Sequence, residues 1–276
     1  MLEKGVVVYD SESLSDRVTI SDGIFCQIVK GHYCFLPVTP YRLLNQSERE
    51  LIIVNQPDEY DYQYRISIIK LDQTLFQPLL EIGIHDIVTY QDYQKVKTHP
   101  MYESIFSYID NIAKLYLLKH STMQRLSFAW NRSELLTTTV KASTDIPLGL
   151  HLDYWDKHSL QTLYQARNRI CINVGREERY FLFINLTLPH ICNILRSNEI
   201  AYGDLNSARE KFLQNFSEYK VICVKIKPFE AYIAPTEWII HDASSMNQQF
   251  CDLTITYLGH FDIADKSDRL VLSSEL

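Results

Sequence analysis

Short apolar stretches in which hydrophobic and polar positions alternate dominate the chain from about residue 126 onward. Alternation over a few residues is typical of half-buried strands, so we interpret these stretches as strands or strand pairs. They are LSFAWNR, LTTTVKAS, LGLHLDYW, RNRICINVG, RYFLFINLTL, KVICVKIK, EAYIAPTEWIIHD and CDLTITYLGHF. Two helix-like pieces, LPHICNILR and LNSAREKFLQNF, interrupt them.

The chain before residue 125 mixes strand-like runs with acidic loops and contains one amphipathic helix pattern. In YESIFSYIDNIAKLYLLKH, apolar side chains recur at intervals of three and four, which predicts a support helix over about residues 101–120. We therefore predict an N-terminal α/β region (1–124) packed on a β core (125–264), followed by a C-terminal tail (265–276), all within one structural unit.

The fold predicted from these elements is mainly β with supporting helices (α+β). Roughly eight strands beside a support helix favour a jelly-roll core, the cupin-like double-stranded β-helix, whose open mouth suits a small ligand. The 18 tyrosines against only 8 glycines favour β structure as well, because aromatic residues suit half-buried strands.

The charge and the cysteines narrow the setting in which the protein works. A net charge of −7 argues against nucleic acid or an anionic membrane as the main partner. We find no signal-peptide pattern and no apolar window of about 18 residues that could span a bilayer. The six cysteines are scattered without a C-x-x-C pair, which favours free thiols in a reducing cytoplasm. The sequence does not indicate an oligomeric state.

The stretch HLDYWD places His151 and Asp153 one residue apart. In a strand both side chains would leave the same face, about 7 Å apart along it, where an imidazole and a carboxylate can bind one divalent ion. The pair His260 and Asp262 has the same spacing but no further histidine downstream. His241, at the end of a long apolar strand, is the best third ligand. The alternative makes His241 a core histidine and Asp153 a turn cap.

The order H-x-D followed by a distant His, across a predicted double-stranded β-helix, resembles the Fe(II)- and 2-oxoglutarate-dependent oxygenases over roughly residues 125–262. The resemblance implies that His151, Asp153 and His241 hold Fe(II), and that 2-oxoglutarate and O₂ are cosubstrates. It further implies hydroxylation or desaturation of a small molecule, amino acid or peptide, with release of succinate and CO₂. The carboxylate of Asp153 argues against halogenation, since halogenases of this superfamily carry a small residue there.

The sequence departs from this family where many members carry an Arg or Lys about ten residues after the second His. No basic residue stands between His241 and Lys266, yet the dianionic cosubstrate needs a charged anchor. The stretch QARNRICINVGREERYFLFINL, soon after the H-x-D motif, offers four arginines: Arg167, Arg169, Arg176 and Arg179. Arg169 is favoured because it lies inside an apolar strand, on the face of Cys171 and Asn173. Its alternative role is a structural ion pair.

The other arginines and polar residues rank below Arg169. Arg167 shares its face nearer the strand end, Asn173 could donate a second hydrogen bond to the cosubstrate, and Arg176 and Arg179 flank a predicted turn at the surface.

The aromatic residues near the motifs supply candidate walls for a substrate pocket. They are Trp155, Tyr232 and Trp238, whereas Tyr154 alternates away from the metal. Asp242 could accept a hydrogen bond behind the ligands or cap a turn.

Two rival functions remain open at this point. One is a metal-dependent cupin-like enzyme that does not use 2-oxoglutarate, which the missing C-terminal Arg favours. The other is a non-enzymatic jelly-roll binding module in which the motif is merely structural.

Overall fold

Two β-sheets form the centre of the protein, here described by a computed structural model for residues 2–10, 16–57, 61–141 and 144–263. The seven-stranded sheet has the order β6 (Ile53–Val54), β1 (Val7–Asp10), β7 (Arg65–Lys70), β14 (Glu230–Ala234), β11 (Asn168–Asn173), β16 (Asp252–Gly259) and β8 (Gln124–Asn131). The five-stranded sheet has the order β15 (Ile239–Ser244), β12 (Arg179–Thr187), β13 (Val221–Ile226), β2 (Val18–Ser21) and β5 (Arg42–Leu43). Two hairpins complete the strands, β3 (Ile24–Val29) with β4 (His32–Pro37) and β9 (Val140–Lys141) with β10 (Ile146–Pro147).

The second half of the chain passes back and forth between the two sheets. After β11 in the large sheet, β12 and β13 enter the small sheet, β14 returns to the large one, β15 enters the small one and β16 closes against β11 and β8. Every one of these second-half pairs is antiparallel. Strands from the first third extend both sheets, β7 beside β14 and β2 beside β13. The fold is therefore mainly β, as the alternating sequence pattern predicts.

Helices pack around this pair of sheets. They are α1 (Gln46–Ile52), α2 (Gln77–Glu81), α3 (Tyr90–Lys97), α4 (Tyr102–Lys114), α5 (Leu188–Ser197) and α6 (Leu205–Asn215). Helix α4 lies on the outer face of the seven-stranded sheet, where Phe106 packs on Phe128 of β8 with ring centroids 5.3 Å apart, and Ile109 is fully buried beside them. The predicted support helix is thus confirmed over Tyr102–Lys114, and α5 and α6 confirm the two helix-like pieces. None of the helices in the described ranges is long and apolar enough to span a membrane.

The stretch around the H-x-D motif departs from the strand that its alternation predicts. Within residues 148–155 the sheet-like pairings are two isolated bridges, a parallel one between Gly149 and Phe35 and an antiparallel one between His151 and His241. Gly149 has a φ of +64°, and a Cβ there would lie 2.2 Å from the carbonyl oxygen of Phe35. The chain therefore turns against β4 at this glycine, where Leu150 donates its backbone N–H to Phe35. Of the predicted strand LTTTVKAS, residues 136–139 lie outside any strand and Val140–Lys141 form β9, whereas residues 142–143 and the predicted tail 265–276 lie outside the described residues.

Candidate metal centre

His151, Asp153 and His241 meet at one end of the space between the sheets. One ligand atom from each residue lies within 4.8 Å of the other two, and all three residues are buried. The two histidines form a hydrogen-bonded backbone pair, with N···O distances of 2.8 Å in both directions, and their ring centroids are 4.6 Å apart. The bridge between the irregular segment and β15 therefore brings together residues that are ninety positions apart in the chain.

Backbone carbonyls orient both imidazoles toward Asp153. Nδ1 of His151 lies 2.8 Å from the carbonyl oxygen of Gly149, and Nδ1 of His241 lies 3.2 Å from that of Ile239. Donation by Nδ1–H to these carbonyls leaves each Nε2 with a free lone pair, which is the form that binds metals. The Nε2 atoms stand 3.9 Å and 3.7 Å from the Asp153 carboxylate.

A buried nitrogen without a partner tests whether a metal fits this group. Nε2 of His241 is buried and makes no hydrogen bond to any described residue. Burying such a polar atom is costly unless a ligand satisfies it. Two imidazole nitrogens and one carboxylate oxygen on one side of the ion form the donor set of non-haem Fe(II) sites, so the residues present fit a divalent metal.

The electrostatics keep the three ligands deprotonated. Burial lowers the pKa of His151 and lowers that of His241 to about 3. Burial by itself raises the pKa of Asp153, but the adjacent charge of Arg169 outweighs it and brings the pKa to about 2. The ligand set is therefore two neutral imidazoles and one carboxylate across the neutral pH range.

Arg169 of β11 pairs directly with the metal-ligand candidate Asp153. Its Nη2 donates to Oδ2 of that carboxylate, and its Nε is buried without a hydrogen-bond partner. Burial lowers the pKa of Arg169 and the Asp153 charge raises it, with a net upward shift. Arg169 shares the inner face of the large sheet with Cys171, as its alternation in the sequence indicates.

A cavity of about 480 Å³ opens from the three ligands along the inner faces of both sheets. Its deep wall includes Arg169, Cys171, Arg179 and Tyr232, and Trp155 lies at its edge with 53% of its surface exposed. Neutral polar side chains complete much of the remaining wall: Ser127, Asn131, Thr138, Thr139, Thr254 and Thr256. A cavity of this size with converging polar groups is suited to a small ligand.

Arg179, which the sequence placed at a surface turn, is instead a buried residue of this cavity. It is only 3% exposed, and Nε and Nη2 donate to Asp252 at 2.8 Å and 3.3 Å. Among the described residues, its Nη1 donates to one partner, the Cys171 sulfur, at 3.6 Å. Burial lowers the pKa of Arg179, and the Asp252 carboxylate more than reverses this shift. Its alternation with Phe181 and Phe183 along β12 is the sequence signal that points inward.

The other two residues predicted to bind the cofactor, Arg167 and Asn173, do not line the cavity that holds the three candidate ligands. Arg167 forms an ion pair with Asp156, with its Nε 3.0 Å from Oδ2, and does not line the cavity. Asn173 is buried outside the cavity and donates its amide to the carbonyls of Glu177 and Ile226. Each has local partners that account for its polarity.

Of the three aromatic residues predicted to wall a substrate pocket, two line the cavity and one does not. Trp155 and Tyr232 line the cavity, and the Tyr232 ring lies 4.4 Å from that of Phe181 on the opposite sheet. Trp238 is buried in the core against Tyr64 and does not reach the cavity.

Two further aspartates near the motifs, Asp242 and Asp262, are not among the three candidate ligands. Asp242 lies 4.0 Å from Nδ1 of His151, and burial raises its pKa to about 8. Asp262 of the second H-x-D spacing pairs with Arg65, and neither it nor His260 joins the metal-ligand cluster found among the described residues.

Comparison with known proteins adds little to this geometry. No family model matches the chain, and no curated protein is significantly similar to it. Among solved structures, it is similar to one described as the Kdo hydroxylase KdoO, a non-haem Fe(II) alphaketoglutarate-dependent dioxygenase in complex with alphaketoglutarate and Fe(III). The match covers 73% of this chain and 80% of that one, with 9% identity and a TM-score of 0.38. Such a score assigns no function, so the proposals below depend on the site itself.

Proposed function

We propose that this protein is a non-haem Fe(II)- and 2-oxoglutarate-dependent oxygenase that hydroxylates or desaturates a small molecule, amino acid or peptide. One observation carries the proposal: two oriented histidine Nε2 atoms and an ionised carboxylate converge, buried, at the end of a cavity. Three ligands on one side of an ion leave positions open for a cosubstrate and O₂. When bound, Fe(II) with 2-oxoglutarate and O₂ would supply the oxidation of a C–H bond, with release of succinate and CO₂.

The residues of the chain would hold and orient the reacting groups. His151, His241 and Asp153 would bind the metal, and Arg169 would fix the Asp153 carboxylate through its second oxygen. The neutral imidazoles need lose no proton to bind, since their Nδ1 atoms already donate to the backbone. Trp155 and Tyr232 would border the space left for substrate and help to exclude water from it.

Arg179 is the anchor that we propose for the distal carboxylate of 2-oxoglutarate. Arg169 and Asp153 form one ion pair on the cavity wall, and Arg179 and Asp252 form a second. The charges within each ion pair cancel. A bound divalent metal ion would therefore leave two uncompensated positive charges, which one dianion of 2-oxoglutarate can neutralise. Nη1 of Arg179 faces the cavity side of Cys171 and retains donor capacity, whereas Arg169 already bonds a metal ligand.

The strand order supports a double-stranded β-helix for the catalytic core. Strands β8, β16, β11 and β14 would form one wall, and β15, β12 and β13 with the bridged His151 segment would form the other. In such a barrel the inward side chains of both walls meet at an open mouth. A cytoplasmic location remains a prediction from the scattered free cysteines.

Anaerobic addition of Fe(II) and then 2-oxoglutarate to the purified protein tests the proposal. We expect a weak visible charge-transfer band that requires both additions, followed by O₂-dependent formation of succinate. His241→Ala should abolish the band. His260→Ala serves as the matched control because it removes a histidine from the same H-x-D spacing outside the site. Absence of metal binding by the wild-type protein would reject the proposal in favour of a binding module.

A second function is favoured by one feature of β16. This strand follows the second histidine and carries no Arg or Lys. Many members of the family that the sequence resembles carry their basic anchor for 2-oxoglutarate at this point. A cupin-like metal enzyme that acts without 2-oxoglutarate would need no such anchor. Iron binding without any spectral response to 2-oxoglutarate, and without succinate formation, would favour this alternative.

A further inference from the structure

The short loop that follows Asp153 lacks regular structure and yet carries two groups of the candidate site. Asp153 begins it, and Trp155 stands at the cavity edge two residues later. A loop in this position needs contacts from elsewhere if it is to present both side chains in a fixed arrangement. Those contacts come from the segment between β14 and β15, which leads directly into His241.

Glu237 in that segment binds the loop through two consecutive backbone amides. Its Oε1 accepts the N–H of Trp155 and the N–H of Asp156, each at 2.9 Å. Glu237 is only 2% exposed, so it is neither a mobile surface carboxylate nor one exchanging freely with water. Hydrogen bonds from amides to a carboxylate are stronger than those between neutral groups.

The neighbouring residues reinforce the same connection. The backbone N–H of Asp153 donates to the carbonyl oxygen of Thr236 at 3.3 Å, and Arg167 holds the Asp156 carboxylate on the other side. Residues 236 and 237 thus contact residues 153, 155 and 156 in turn. The third ligand, His241, follows four residues later on β15.

We propose that Glu237 is a positioning residue of the metal centre, which fixes the Asp153 loop relative to His241 and holds Trp155 at the cavity mouth. The claim about the metal rests on the proposed function, whereas the claim about the loop does not. Without the carboxylate, two amides lose their acceptor, and of the contacts between residues 236–237 and the loop the hydrogen bond from Asp153 to Thr236 remains. Asp153 would then meet the metal in a wider range of positions, and binding would weaken.

Three variants separate the hydrogen bonds from simple loss of packing. Glu237→Gln keeps an oxygen that can accept both amides, Glu237→Met fills a similar volume without an acceptor, and Glu237→Ala removes both. Since Glu237→Ala can fail to fold, Glu237→Met is the primary test variant. Amide hydrogen exchange by mass spectrometry on a peptide covering residues 153–158 reads the two donors directly. Anaerobic titration with Fe(II) alone reads the metal site.

Glu177 offers a matched control elsewhere in the chain. Its Oε2 also accepts two consecutive amides, from Gln249 at 2.7 Å and Phe250 at 2.9 Å, and it does not line the cavity that holds the three ligands. Glu177→Met should speed exchange at residues 249–250 and leave the Fe(II) affinity at the wild-type value.

We expect Glu237→Met to speed exchange of the Trp155 and Asp156 amides about tenfold or more. We expect it also to raise the dissociation constant for Fe(II) about tenfold. Glu237→Gln should restore both readings to near wild type. Faster exchange with an Fe(II) affinity within twofold of wild type would overturn the positioning role. Unchanged exchange would show that Glu237 does not hold the Trp155 and Asp156 amides. If the wild-type chain binds no Fe(II), the proposed function fails. The exchange pattern of the three variants still tests whether Glu237 holds the loop after Asp153.

Discussion

Two arginines, the buried Arg179 and the partly buried Arg169, face the same cavity, and their partners assign them different roles. The Arg169 guanidinium is bonded to the candidate ligand Asp153, whereas that of Arg179 is bonded to Asp252, a residue of the opposite sheet that is not a ligand candidate. An arginine that bonds a metal ligand acts on the metal geometry, and one whose partner is not a ligand candidate can act on a bound anion.

A charge-conserving substitution tests this division. Arg179→Lys keeps the positive charge beside Asp252 but loses the planar fork, so we expect at least about tenfold weaker 2-oxoglutarate binding with unchanged Fe(II) affinity. Arg169→Lys should instead weaken Fe(II) binding itself, because Asp153 loses the donor that orients it. Isothermal titration under argon, first with Fe(II) and then with 2-oxoglutarate, resolves the two steps. The reverse pattern would return the anchor role to Arg169.

The low pKa values of the ligands make a second prediction at the residue scale. Protons compete with metals for histidine, and two histidines with an ordinary pKa of about 6.5 would cost about 100-fold in affinity between pH 7.5 and 5.5. Here burial brings the pKa of His241 to about 3 and lowers that of His151, and the pKa of Asp153 is about 2. His241 and Asp153 are therefore already deprotonated at pH 5.5, and His151 competes with protons less than an ordinary histidine does.

We accordingly expect the metal affinity to fall less than about tenfold over this pH interval, because at most one of the two histidines still competes with protons there. Co²⁺ titrations followed by visible absorption at pH 7.5, 6.5 and 5.5 measure it without redox complications. Circular dichroism at each pH verifies that the protein remains folded. A fall in affinity of more than about tenfold would mean that the histidines titrate as exposed groups do, and that the buried arrangement is wrong.

At the scale of elements, the contact between β4 and the turn before His151 fixes the first half of the motif. Gly149 lies so close to the Phe35 carbonyl that a Cβ would approach it to 2.2 Å, and its φ of +64° adds strain for any other residue. Gly149→Ala should therefore move the segment away from β4, displace His151 and weaken Fe(II) binding about tenfold or more.

Gly31 provides the control for backbone strain alone. Its φ is +80°, but a Cβ there would meet nothing within 4 Å. Gly31→Ala should cost about 1–2 kcal/mol in the free energy of unfolding, as left-handed backbone does elsewhere, and leave metal binding intact. Urea unfolding monitored by fluorescence gives the stability of both variants. Equal effects of the two substitutions on metal affinity would contradict the role of the β4 contact.

The sequence predicts elements well where the local pattern decides them and poorly where a distant contact does. Strands β11, β12, β13 and β16 follow from alternation, and α4 follows from its apolar stripe. The H-x-D stretch alternates too, but the approach of β4 at Gly149 interrupts it, and no local pattern encodes that approach. Arg179 was misplaced because the polar run GREER suggests a surface turn, while the strand begins at the arginine itself.

At the scale of the whole molecule, the first third completes both sheets rather than forming a layer of its own. Strand β7 pairs with β14, 160 or more residues later in the chain, and β2 pairs with β13, 200 or more residues later. Pairings of this range depend on complementary surfaces that alternation alone does not identify. Cys171 lies on the wall of the cavity between the two sheets, among the cysteines that are buried.

Thiol reactivity can therefore report whether the two sheets stay closed in solution. All six cysteines are free: Cys26 is exposed, Cys251 is intermediate, and Cys34, Cys171, Cys192 and Cys223 are buried. Burial raises the pKa of Cys34 to about 11 and that of Cys223 to about 12, which keeps these thiols in the unreactive protonated form.

With Ellman's reagent at pH 8, we expect one fast thiol from Cys26, a slower one from Cys251, and the other four only after unfolding in guanidinium. Cys26→Ser should remove the fast phase, and mass spectrometry of the labelled peptides identifies each site.

Cys171 matters most here because it lies on the cavity wall between the two arginine pairs. Rapid native labelling of Cys171 would mean that the sheets separate enough to admit the reagent, and that the cavity is not the closed site on which the proposed chemistry depends. Fewer than six thiols in the unfolded protein would instead reveal a disulfide and argue against a reducing compartment.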